Sequence, residues 1–199
     1  MQVLDQADEG LVFRLARPAD APAVTTLINS GYRGDVSRAG WTTEADLLTG
    51  TRIEVDDLRA LIEQPEHVVL LAQSQGQLVA SVYLSKTGDA AYLGMFVVAP
   101  HLQGGGLGKQ LMQAAERHVT QAWGAQRLWL TVITLRHELI AFYERRGFVR
   151  TGRIQPFPEE VGPEFRLVAD LEMEEMEKQM EKPLAALHCG SSGPSAQSC

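Results

Sequence analysis

The sequence predicts a single mixed α/β domain of about seven strands and about four helices, and three observations lead there. Short apolar runs of strand type recur between residues 11 and 176, bounded by breakers such as Pro18, Gly76 and Pro100. Between them lie stretches whose apolar residues repeat at helical spacing. The two kinds interleave along the chain as strand, two helices, three strands, helix, strand, helix and two strands, without internal repeats.

Each element has its own warrant. "LVFRLARP", Leu11 to Pro18, alternates as a first strand, and Pro18, Asp20 and Pro22 punctuate entry into a helix that gathers Ala23, Val24, Leu27 and Ile28 on one face. "GDVSRAGWTTEADLLTGTRIEV" has no sustained period and reads as a loop with short helical turns. "DDLRALIEQ" is a short helix with acids in its first turn, where the macrodipole favours them. "HVVLLAQS" and "QLVASVYLS" flank the turn "SQGQ" as a hairpin, and "AAYLGMFVVAP" is a further strand ended by Pro100. A helix from about Gly106 to Trp123 carries a core stripe of Leu107, Leu111, Ala114, Ala115, Val119 and Ala122. "RLWLTVI" is a strand, "HELIAFYERR" a helix stopped by Gly147, and "FVRTGRI" and "EFRLVADLEM" close the sheet. Residues 1–10 read as a flexible N-terminus and residues 11–176 as the domain. After Met173 the charged stretch "EEMEKQMEK" has helical character and runs into a terminal segment rich in Gly, Ser and Pro; residues 177–199 read as a mobile C-terminal tail.

Composition narrows the function classes. Among 199 residues, 45% are hydrophobic and 22% charged, as in ordinary globular proteins. A net charge of −7 argues against nucleic acid as a partner and is compatible with a cationic substrate. "MQVLDQADEG" lacks a signal-like apolar core and no run has the length of a membrane span, so a cytoplasmic protein without membrane partners is expected. Cys189 and Cys199 both lie in the terminal stretch, which leaves neither a disulfide framework nor a CxxC metal site; no metal is expected.

The chemistry centres on "MFVVAPHLQGGGLGKQLMQAAERHV", where Gly104, Gly105, Gly106 and Gly108 crowd the mouth of a helix. Glycine inside a helix costs about 1 kcal/mol against alanine. At a helix start it lets an anion approach unpaired N–H groups at the positive end of the dipole. The P-loop pattern fails here, because Gly108-Lys109 is followed by Gln110 and Gln103 stands at the first glycine position; a dinucleotide GxGxxG fails at Lys109. What fits is Q-x-x-G-x-G, Gln103 to Gly108. In this the chain resembles the GCN5-related N-acetyltransferase (GNAT) family, whose loop of that form, after the fourth strand, grips the pyrophosphate of acetyl-coenzyme A. The resemblance implies a mixed, mostly antiparallel central sheet. It also implies a cofactor site made of Gln103, Gly104, Gly105, Gly106, Leu107, Gly108 and Lys109, with main-chain groups of Phe96, Val97 and Val98.

A second phrase, "FYERRGF" from Phe142 to Phe148, is similar to the family's helix after the fifth strand. The resemblance makes Tyr143 the general acid that protonates the departing thiolate; a phenol of pKa near 10 holds the proton that role needs. Arg136 stands where the family often has an asparagine on the pantetheine arm. It is kept as a cofactor-binding candidate through a phosphate, with a solvent-facing side chain as the alternative.

The expected reaction is direct acetyl transfer to the primary amine of a small molecule such as an amino acid, polyamine or antibiotic. The alternatives are acetylation of protein N-termini or lysines, and a coenzyme-binding sensor without catalysis. A lysine-like amine of pKa about 10.4 needs roughly 4–5 kcal/mol of help to lose its proton at pH 7, an α-amine only about 1 kcal/mol. Yet "AAYLGMFVV" holds no carboxylate, and the family's common glutamate base is missing. Candidate bases are Glu44, Asp46, Glu159 and Glu160, and Tyr32 and Trp41 are candidate walls of an acceptor pocket; His101 reads as a surface residue near the phosphates. A monomer or homodimer is expected.

Overall fold

The computed structural model describes residues 10–181. In chain order it contains β1 (Leu11–Leu15), α1 (Ala21–Tyr32), α2 (Gly34–Ser37), α3 (Val55–Glu63), β2 (His67–Ser74), β3 (Gln77–Thr87) and β4 (Ala90–Val98). There follow α4 (Leu107–Trp123), β5 (Arg127–Ile133), α5 (His137–Glu144), β6 (Val149–Pro156) and β7 (Glu172–Gln179). The strands form one sheet in the order β1-β2-β3-β4-β5-β7-β6, antiparallel throughout except for the parallel pair β4–β5. The expected mixed, mostly antiparallel architecture of seven strands is therefore present, with the one-turn α2 as an additional helix.

The unbroken apolar run of β2 follows from burial on both faces. Leu70 and Ala72 join the cluster under α4 and α5, while Val69 and Leu71 face Val24, Ile28 and Leu58 of α1 and α3. On α4, Leu111, Ala114, Ala115 and Val119 are buried as expected, together with Met112 and His118. Ala122 keeps the phase of that stripe but is exposed. It lies in the last turn before left-handed Gly124, where Trp123 packs edge-on against His118 at 5.1 Å.

The last strand differs from expectation. Of "EFRLVADLEM", Glu164 and Phe165 complete a 3₁₀ turn begun at Pro163, bends follow, and only Glu172 and Met173 enter β7, which continues through the charged "EEMEKQ". Helix propensity loses here because β7 is inserted between β5 and β6, so its backbone is paired on both edges. Met176 is fully buried, while Glu175 and Glu177 on the other face meet Arg153 and Arg127. The sheet thus runs to Gln179, past the boundary expected at residue 176. The N-terminus before Gly10 and the tail from residue 182, with both cysteines, lie outside the described residues.

One break in the sheet positions the site. The β4–β5 pairing covers only Ala90–Tyr92 with Arg127–Trp129. Further along, β4 carries an irregularity against β3 between Ser81 and Tyr83, and Met95 sits at φ 45°. Past Tyr92 the β5-facing edge of β4 has no strand partner, and a cleft opens between the two strands.

Candidate active site

Two cavities occupy this cleft. The first, of about 280 Å³, lies between Phe96 and Val98 of β4, the glycine loop, and Phe142 with Arg145 and Arg146 near the end of α5. The second, of about 360 Å³, lies between Tyr92–Met95 of β4, Thr131–Ile133 of β5, the segment from Tyr32 to Arg52, and Tyr143. Leu139 lines both.

The glycine loop has the makings of an anion cradle. Gly104 and Gly106 adopt φ of 88° and 87°, a conformation other residues resist, and a side chain on either would project into open space. At Gly108 a Cβ would stand 3.5 Å from the Phe142 ring, so glycine keeps the groove clear there. Among the described residues, the N–H groups from Gly104 to Gly108 donate to no acceptor, whereas those of Lys109 and Gln110 turn back to the Gly106 carbonyl at 2.9 and 3.2 Å. Five unpaired amides at the start of the 17-residue α4 suit a diphosphate. Gly105 and Leu107, both expected at the cofactor, do not line the cavity; their N–H groups are unpaired, and the Leu107 side chain packs against the core instead.

Cations surround the cradle. Lys109, Arg145 and Arg146 line the same cavity. The Arg146 guanidinium lies 3.3 Å from the Phe142 ring centroid and donates to the Phe142 carbonyl at 2.7 Å, leaving its Nε buried without a partner. Sequence reasoning missed this arginine pair, although "YERRGF" put both within three residues of Tyr143.

Several expected cofactor contacts are already engaged within the protein. The Gln103 amide accepts from the Trp41 N–H at 2.9 Å and donates to Thr42 Oγ1 at 2.9 Å and to the Val98 carbonyl at 3.0 Å. Its side chain therefore staples the segment around Trp41 to β4. The Phe96 carbonyl accepts from the Tyr32 hydroxyl at 2.8 Å. The Val97 side chain points to the α1 face, where Gly31 leaves room for it. Trp41, expected at the acceptor, instead lines the glycine-loop cavity and packs on Phe142 at 5.4 Å.

Arg136 is the clearest correction. It neither faces solvent nor approaches the glycine loop, but is buried on the second cavity. There it donates to Glu44 Oε1 at 2.7 Å and to the Thr42 carbonyl, and stands 5.7 Å from the Tyr32 ring. Glu44 is buried too, and its other oxygen is held by Arg33. Burial alone would raise the Glu44 carboxyl, but the charges of Arg136, Arg52 and Arg33 outweigh it and hold the group below its ordinary value. A carboxylate so stabilised is a poor proton acceptor, which removes Glu44 as a base. Asp46 is exposed and paired with Arg38 at 2.6 Å. Glu159 is exposed and off the cavity wall, whereas its neighbour Glu160 lines it; His101 is exposed and lines neither cavity.

Both tyrosines line the second cavity. Burial, and then the charge of Glu44, push the Tyr32 phenol up to about 12. Burial also pushes the Tyr143 phenol well above its usual range, with Arg136 partly opposing. Tyr143 is therefore protonated at neutral pH. Among the described residues no group of three or more His, Cys, Asp or Glu could hold a metal, and no helix is long and apolar enough to cross a membrane.

Residues 36–148 match the family model described as Acetyltransferase (GNAT) family, and the chain belongs to that family. A protein named probable spermine N(1)-acetyltransferase, from Bacillus subtilis subsp. natto, is 30% identical over 63 residues. That match spans 32% of this chain and 41% of the relative. Among solved structures, the ribosomal-protein-S18-alanine N-acetyltransferase of Escherichia coli superposes with a TM-score of 0.64 at 18% identity, over 89% of this chain and 99% of that one. The yncA structure of Salmonella typhimurium, solved with its cofactor acetyl-CoA, gives 0.64 at 19% identity, over 91% of this chain and 100% of that one. At these identities the structures share the fold.

Proposed function

We propose that this acetyltransferase moves an acetyl group from acetyl-coenzyme A directly to the primary amine of a small molecule. The observation that carries the reading is the pair of cavities meeting at Leu139, one floored by unpaired amides and the other holding a protonated phenol. The amides of Gly104 to Gly108, with Lys109, Arg145 and Arg146, would hold the diphosphate. The bound thioester supplies an activated acetyl group and a thiolate leaving group. Tyr143 keeps its proton at neutral pH and is the donor to that sulfur. With Glu44 locked by arginines, Glu160 is the one carboxylate on the acceptor wall without an ion-pair partner among the described residues, and it is the candidate proton acceptor, through water. The relative named for spermine acetylation and the cofactor-bound neighbour support the class of reaction.

Calorimetric titration with acetyl-coenzyme A, followed by thiol release over a panel of amines, tests this. Gly106→Glu puts bulk and negative charge at the cradle, in a backbone conformation that resists side chains, and should lower coenzyme affinity at least about 100-fold. Unchanged affinity would remove the loop from the site. Tight binding without turnover on any amine would instead identify a coenzyme-binding sensor.

A further inference from the structure

The charges on the acceptor cavity differ from those a polycationic substrate requires. Its wall carries Arg33, Arg52 and Arg136 against Glu44 and Glu160. Glu44 is shared by Arg33 and Arg136, so its negative charge is already matched twice. Two guanidinium groups keep unused donors. The Arg33 side chain is 9% exposed, and its Nε is buried with no hydrogen-bond partner. Arg52 has no carboxylate partner among the described residues, and its guanidinium stands 5.8 Å from the Tyr32 ring. The Arg33 donor is buried without an acceptor, which is costly, whereas Arg52 is exposed at the cavity wall with its charge open to a ligand, and a guanidinium fork is shaped for a two-oxygen anion.

Building on the proposed acetyl transfer, we infer that the acceptor is an amine that also carries an anionic group, a carboxylate or phosphonate, held by Arg33 and Arg52 while its amine lies toward Leu139 and Tyr143. Both ends of the cavity then have work. Tyr143 and the shared residue Leu139 mark the end that meets the coenzyme cavity, and the arginines mark a second end that recognises charge. A polyamine would bring further ammonium groups beside three guanidiniums, with only Glu160 left to receive them. The spermine acetylation in the name of the partial relative would therefore not extend to this chain.

The test compares acceptors of matched length by thiol release: amino carboxylates, amino phosphonates, the primary amides of the same acids, and diamines with spermine. Binding of each to the protein saturated with coenzyme A is followed by calorimetry. Acids should exceed their amides at least about tenfold in kcat/KM or affinity, and the carboxylate and phosphonate arms separate the two anions. Arg52→Ala should cut the acid-to-amide ratio about 10- to 100-fold, and Arg52→Lys should restore part of it. Amides or polyamines that match or surpass the acids overturn this inference alone, as does a failure of every acid to bind while the coenzyme does. No affinity for acetyl-coenzyme A overturns the acetyl-transfer reading with it.

Discussion

A phenol is useful as an acid only while it keeps its proton, and burial secures this for Tyr143 by disfavouring the phenolate. The same burial makes it a reluctant donor, so in the proposed reaction its proton would move only as charge builds on the departing sulfur. Tyr143→Phe preserves the ring that packs against Phe142 and Phe148 and removes only the hydroxyl. Turnover should fall about 100-fold or more with coenzyme affinity changed less than about threefold, as steady-state kinetics and calorimetry would report. Equal rates would assign the proton to water or another group. Gln103 illustrates a different role at this scale: a motif glutamine whose amide is consumed by Trp41, Thr42 and Val98 acts by shaping the site.

The segment from Trp41 to Glu44 lies astride the two cavities, with Trp41 on one wall and Glu44 on the other. It has no regular structure of its own; Gln103 holds one end and Arg33 with Arg136 the other. Glu44→Gln would leave two buried guanidiniums without their counter-charge, a loss of about 3–5 kcal/mol, or roughly 10 °C in Tm for a chain of this size. The pH dependence has a definite sign. The folded carboxyl lies below its ordinary value of 4.5, so its contribution is complete above that pH and fades as pH falls through the lower folded value. The Tm gap between wild type and Glu44→Gln should be constant near neutrality, begin to narrow as pH falls below 4.5, and close as the folded carboxyl protonates. A gap that persists at acid pH would mean that packing, not charge, holds the segment.

For the molecule as a whole, the sheet does two things at once. Its outer pairs bind the chain together, and the short β4–β5 pairing leaves the cleft in which the cavities form. Strand β7 braces the far side of that cleft by pairing with β5 along its length. Ending the chain at Met176 would remove the partners of Arg127, Leu128 and Trp129, and the 2.6 Å ion pair of Lys178 with Glu116. Thermal unfolding should then begin about 5–10 °C lower than for the full chain. An unchanged Tm would show that the end of β7 contributes nothing to the sheet.

The sequence by itself determined the order of strands and helices, because both signals are local: alternating or continuous apolar runs, helical stripes, and breakers such as Pro100 and Gly147. It also marked the glycine loop proposed as the anion cradle, since glycines at a strand-to-helix turn act through backbone that needs no distant partner. The tertiary structure alone decided what the charged residues do. Arg136 and Glu44 are 92 residues apart and meet only when α5 is laid beside the Tyr32–Arg52 segment. A side chain's charge is written in the sequence, but its partner is chosen by the fold. The same holds for β7, whose glutamate-rich stretch becomes a strand because two neighbouring strands offer hydrogen bonds that outweigh its helical preference.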